Sequence, residues 1–189
     1  MTRRVVADAG PLIWLSRCGL LPTLSRLYQQ VLVPPEVRHE AVDKGVEGGH
    51  RDADETKKAI EEGKITVERP GKKLINRVSR RASSMRIRLG GGEMEAIALA
   101  LERDAVLLTN DEDARKVGES LGLRSEGTLR TLLSLVELHL ITADEAREAL
   151  SRMIEGGLWL TPRVVQRFHR LLDKILSHQY PPESPPPPS

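Results

Sequence analysis

The chain has a single cysteine, Cys18, so no internal disulfide can form, and with no Cys/His cluster around it a zinc site of ordinary spacing is excluded. A reducing, cytoplasmic setting is expected. It also lacks any uncharged run of membrane-spanning length, and the apolar residues Val5 to Ala7 meet Asp8 at once, which leaves no core for a secretion signal. Asparagine occurs only at positions 76 and 110 and glutamine is nearly as scarce, a bias found in chains from hot-growing sources. Nor is there a dominant charge: 29 basic residues face 27 acidic ones, for a net charge of +2. Overall charge therefore identifies no partner, and its distribution has to be read instead.

What is present suits a folded domain. In 189 residues, 39% are hydrophobic and 30% charged, enough for one filled core under a charged surface. Arg4 to Asp8 reads as a strand ending in an acid, and Gly10-Pro11 then opens a helix that carries Leu12, Leu15 and Cys18 at helical spacing. A helix over 21–28 leads to the β-branched run Val31 to Val33, which Pro34-Pro35 closes before another helix. A charged, glycine-rich connection over 43–50, a surface helix over 52–62 and a short strand over 65–67 follow. Arg69 to Arg88 holds eight cations and no acid, with Leu74, Val78 and Met85 near helical spacing, so it reads as a basic amphipathic helix. Gly90-Gly91-Gly92 breaks it, and a new helix runs over 93–103. Ala105 to Thr109 has the uninterrupted apolar character of a central strand. A helix over 110–121, a minimal strand and three further helices over 128–139, 142–154 and 162–176 complete the order, before a proline-rich tail over 181–189 that should be extended. Strands alternating with helices predict an α/β fold with a parallel sheet.

In such sheets functional groups gather beyond the carboxyl ends of the strands. Asp8 ends the first strand, and Asp111 and Asp113 follow the strand over 105–109. At about 100° per residue, Glu93 shares a helix face with Ala96, Ile97 and Ala100, where packing is expected, while Glu95 and Glu102 lie opposite. After Pro34-Pro35, Glu40 falls between Val37 and Ala41 in projection; Glu36 is one turn earlier and nearly aligned, so spacing leaves both open. Asp8, Glu40, Glu93 and Asp111 thus form four carboxylates at one sheet end. Packed together they repel and raise one another's pKa unless a cation intervenes. An oxygen-only set suits Mg²⁺ or Mn²⁺, and such a site supports hydrolysis of a phosphodiester.

These stretches, Val5-Val6-Ala7-Asp8-Ala9-Gly10-Pro11, Val33-Pro34-Pro35-Glu36-Val37-Arg38-His39-Glu40, Gly92-Glu93-Met94-Glu95-Ala96-Ile97, Leu108-Thr109-Asn110-Asp111-Glu112-Asp113 and Gly127-Thr128-Leu129, in this order and spacing, resemble the PIN-domain family, in particular small prokaryotic VapC-like ribonuclease toxins. The resemblance implies a PIN-like fold, a central parallel sheet flanked by helices, over residues 1–141, with a helical C-terminal extension over 142–178 packed on it and a disordered tail over 179–189. It also implies an Mg²⁺- or Mn²⁺-dependent endoribonuclease, the toxin of a toxin-antitoxin pair. Carried over by position, Asp8, Glu40, Glu93 and Asp111 are catalytic, and Asp8, Glu93 and Asp111 are metal ligands, with Asp113 acting directly or through water. Ala9 stands where many relatives place Thr or Ser, and Glu93 where VapC-like members usually have Asp.

Two other readings compete. A haloacid-dehalogenase-type phosphotransferase also begins with an acid after its first strand, but it needs a second Asp where Gly10 stands. A non-catalytic PIN-fold RNA-binding or scaffold protein would keep the fold without needing the four acids. Arg77, Arg80 and Arg81 are the candidate RNA contacts. A homodimer and an antitoxin partner are expected, with Leu132, Leu135, Val136 and Leu140, and the Trp159 stretch, offering surface for them.

Overall fold

The computed structural model describes residues 4–43 and 51–179; the connection over 44–50 and the tail over 181–189 lie outside them. Among the described residues the strands are β1 (Arg4–Ala7), β2 (Gln30–Val33), β3 (Thr66–Val67), β4 (Val106–Leu108) and β5 (Ser125–Glu126). All pair in parallel, in the order β3-β2-β1-β4-β5. The three inner strands are buried on both faces, which is why Val5-Val6-Ala7, Val31-Leu32-Val33 and Val106-Leu107-Leu108 are continuous apolar runs and do not alternate. Each fully buried Val or Leu among them contributes about 1.5–3 kcal/mol. The edge strands are two residues long and partly polar, a common guard against edge-to-edge pairing.

The helices are α1 (Ala9–Arg17), α2 (Leu24–Leu27), α3 (Pro35–Arg38), α4 (Arg51–Glu61), α5 (Lys72–Ser84), α6 (Gly91–Arg103), α7 (Glu112–Ser120), α8 (Thr128–Glu137), α9 (Ala143–Glu155) and α10 (Pro162–Gln179). Several differ from the sequence expectation. The helix expected over 21–28 is a 3₁₀ turn, Leu21–Thr23, followed by the single turn α2. After α3 the backbone widens into a π-helical turn, His39–Asp43, and this turn carries Glu40. The basic helix is shorter than Arg69 to Arg88, ending where Arg86 takes a left-handed φ of 58°. Helix α6 begins at Gly91, two residues before the expected start, because Gly90 is extended and its N–H is taken by the Glu93 carboxylate. The triple glycine opens this helix as well as closing the segment before it.

By internal contacts the chain forms two compact units, Met1–Arg130 and Thr131–Ser189. The division falls inside α8, ahead of the boundary at 141 read from sequence. Helix α6 supplies much of the first unit's core through Ala96, Ile97, Ala98, Leu99 and Ala100. In the second unit Leu132, Leu135 and Val136 are buried within the chain, so they do not form the exposed partner surface their spacing suggested. Thr142 caps α9: its hydroxyl accepts from Glu145 N at 3.1 Å, while Glu145 accepts from Thr142 N at 2.7 Å. Among the described residues no helix is long and apolar enough to cross a membrane.

Candidate active site

The topology places the site. From β1 the chain moves to β2 and β3 on one side, then returns to β4 on the other, so the crevice beyond the carboxyl ends of β1 and β4 is the point where the winding reverses. Asp8 follows β1 directly and is only 8% exposed. Its backbone N–H donates to Leu108 O at 2.9 Å, extending the β1–β4 ladder up to the acid. Its Oδ1 accepts from Ala9 N at 2.8 Å as the N-cap of α1, and its Oδ2 accepts from the Thr109 hydroxyl at 2.9 Å. That hydroxyl accepts in turn from Asp111 N at 3.1 Å. Asp8 is thus fixed through both oxygens, and Thr109 couples it to the loop that carries Asp111.

The other acids approach from separate elements. Glu40, on the π-helical turn, lies over the first turn of α6: a Cβ at Gly92 would come within 3.0 Å of its Oε2. Glu36 occupies the neighbouring place, 3.2 Å through its Cγ from a Cβ at Gly91. Both acids therefore flank the glycines, and of these two it is Glu40 whose charge acts on Asp8. Asp111 is exposed and caps α7 through Oδ1, which accepts from Ala114 N at 2.6 Å. Asp113 is exposed, with Lys116 Nζ at 3.6 Å.

Electrostatics record the proximity. Burial is the main force raising the Asp8 carboxyl above its ordinary value; the Ala9 N–H and the Thr109 hydroxyl pull it down, and the negative charges of Glu40 and Asp111 add to the rise. Glu93 is raised as well, again chiefly by burial, with the Gly90 N–H opposing and Asp8, Asp111 and Asp113 contributing. Both titrating acids feel other acids of the same group, a pattern that concentrates at functional sites. Nevertheless, among the described residues no three Asp, Glu, His or Cys side chains converge closely enough to hold one metal ion in this conformation. Here Glu93 is turned back onto Gly90 N, and an oxygen of Asp111 is committed to its helix cap.

Four residues have roles that went unread in the sequence. Thr109 and Asn110 precede the acid that attracted notice, yet Thr109 orders Asp8, and Asn110 ties this loop to the start of α8, accepting from Thr128 N at 2.9 Å and donating to Thr128 Oγ1 at 2.9 Å. The signal available was the polar triplet Thr-Asn-Asp at the end of an apolar strand. Glu95 and Glu102, expected to face away from packing, each satisfy another helix's first turn: Glu95 accepts from Glu36 N at 3.1 Å and Glu102 from Gly71 N at 2.9 Å. Arg77, Arg80 and Arg81 are exposed on α5, and Arg81 Nε donates to Ser120 Oγ at 2.9 Å.

No curated protein sequence matches the chain. A solved structure described as a domain of a functionally unknown protein from Methanocaldococcus jannaschii DSM 2661 is similar at 18% identity and a TM-score of 0.43, covering 66% of this chain and 90% of that one. The DUF3368 family model, a PIN domain, matches residues 4–174. That match starts with β1 and runs into α10, taking in every acid of the β1–β4 crevice, and on its strength the chain belongs to the PIN-domain family, with the nuclease-type fold that family carries.

Proposed function

We propose that the chain is a metal-dependent endoribonuclease that hydrolyses RNA phosphodiester bonds at the β1–β4 crevice. The observation that carries this reading is Asp8: a buried carboxylate, held through both oxygens, whose charged neighbours Glu40 and Asp111 are themselves acids. Burying like charges together is unfavourable for the fold alone and becomes useful when a cation is taken up.

The donor chemistry fits a hard divalent ion, since the group is all carboxylate, with neither imidazole nor thiolate in it. Asp8, Glu93 and Asp111 would hold Mg²⁺ or Mn²⁺, with Asp113 acting through water, and this requires Glu93 to release Gly90 N. Bound there, the ion would polarise a phosphoryl oxygen and offset the repulsion among the carboxylates. Thr109 and the Ala9 N–H keep Asp8 oriented and favour its charged form. Glu40 takes the proton of the attacking water, a role its place beside Asp8 and Gly92 permits. The cations of α5, Arg77, Arg80 and Arg81, attract the RNA backbone. In this reading the protein is the toxin of a toxin-antitoxin pair, works as a homodimer in the cytoplasm and is restrained by an antitoxin.

Thermal melting with Mn²⁺ tests the site without relying on turnover. A ligand that binds only the folded state raises the melting temperature, and Asp8→Asn should remove most of that rise. An undiminished rise in the variant would count against the assignment.

A further inference from the structure

The last helix among the described residues, α10, has a polar face that none of the chemistry above uses. In α10, residues 163, 166, 167, 170 and 174 recur at steps of three and four, so Arg163, Gln166, Arg167, Arg170 and Lys174 share one face. All five are exposed, and the opposite face is buried through Phe168 and Leu172. Arg163, Gln166, Arg167 and Arg170 together line a cleft of about 430 Å³. The helix has one acid, Asp173, and it pairs with Arg147 at 3.3 Å. Among the described residues none of the three arginines of the cleft has a carboxylate partner. This is a row of cations set about 4.5–6 Å apart along the axis by the helix rise.

A second observation lies four residues before Arg163. Trp159 is 83% exposed, although burying an indole would be worth far more to the fold than leaving it in water. An exposed flat ring placed in sequence just ahead of a row of guanidinium groups supplies the combination that binds single-stranded nucleic acid, with the ring stacking on a base and the cations following the phosphates. An acidic protein segment would satisfy the arginines but leave the indole unused. A membrane surface would call for an apolar helix face to insert, and here that face is buried through Phe168 and Leu172.

We propose that Trp159 and the Arg163, Arg167, Arg170 and Lys174 face form a binding surface for single-stranded RNA, separate in kind from the carboxylate site. The choice of RNA as the polymer rests on the ribonuclease reading. The test uses the full chain carrying Asp8→Asn, so that no probe is cut, and measures the binding of a labelled oligouridylate by anisotropy across a salt series. Replacing Arg163, Arg167 and Arg170 together by Ala should weaken binding and lower the slope of log affinity against log salt by about 2, at about 0.7 per phosphate contact on a single strand. Trp159→Ala should weaken binding about tenfold with the slope unchanged. All four positions are exposed, so both variants should melt as the parent does. Unchanged affinity and slope in the triple variant would overturn the proposal, as would equal binding of polyglutamate. A chain that binds the oligonucleotide through this face but never cleaves RNA would retain the surface and remove the ribonuclease reading; cleavage without any contribution from this face would do the reverse.

Discussion

The Thr109 hydroxyl donates to Asp8 Oδ2 across 2.9 Å, joining the end of β4 to the end of β1. Both residues are buried, so the bond is not exchangeable for one to bulk water. Thr109→Val keeps the shape and removes the donor. It should cost about 1–3 kcal/mol, the range for leaving a buried polar group without its partner, and should raise the Asp8 carboxyl further. Thr109→Ser should stay close to wild type. Urea denaturation of the three proteins decides this, and a valine variant as stable as the parent would show that the bond contributes nothing.

Stability should also carry the mark of the raised acids. Asp8 and Glu93 both lie above their ordinary values in the folded chain, so between the unfolded and folded pKa the native state binds more protons than the unfolded one. The slope of stability with pH is then negative. Their contribution is most favourable in acid and is lost as pH rises from the ordinary carboxylate range through the raised values. In metal-free buffer Asp8→Asn should therefore gain stability relative to wild type as pH rises from 4 to 7, with most of the difference gone at the acid end. Parallel stability–pH curves for the two proteins would contradict the assignment.

Gly92 separates folding from function. A Cβ there would meet the Glu40 carboxylate at 3.0 Å, whereas Gly→Ala in a helix is favourable by about 1 kcal/mol. Gly92→Ala should fold at least nearly as well as wild type and yet displace Glu40, reducing RNA cleavage. Equal cleavage by the two proteins would show that Glu40 does not need its present position.

The exposed cations of α5 should affect binding without affecting the fold. Replacing Arg77, Arg80 and Arg81 by Ala should change stability by no more than about 0.5 kcal/mol per site, with Arg81 also losing its bond to Ser120, while weakening RNA affinity and flattening its salt dependence. An unchanged salt slope would make this face a spectator.

The sheet is legible in the sequence because its inner strands are buried on both sides, and that burial demands the unbroken apolar runs at 5–7, 31–33 and 106–108. Asp8 and Asp111 are legible for a related reason: each is the first acid after such a run. The choice between Glu36 and Glu40 is not, because an ideal α projection does not describe a segment that changes to a π-helical turn at His39. Thr109 and Asn110 escape notice because their hydrogen bonds reach residues far away in sequence. Glu95 escapes for another reason: its partner is a backbone N–H on a helix that packs beside it only in the fold. Helical spacing likewise marks Leu132 and Leu135 as apolar-face residues without saying whether this chain or another covers them.

The central claim is that Asp8 anchors a metal-dependent nuclease site. The most direct measurement is cleavage of a mixed RNA by the full chain in Mn²⁺, in Mg²⁺ and in chelator, beside Asp8→Asn under the same conditions. Cleavage should occur with metal, stop in chelator, and fall in Asp8→Asn by more than the roughly 10–100-fold typical of losing a residue that merely supports a ligand. Cleavage that persists in chelator, or an Asp8→Asn protein that cuts as fast as wild type, would contradict it.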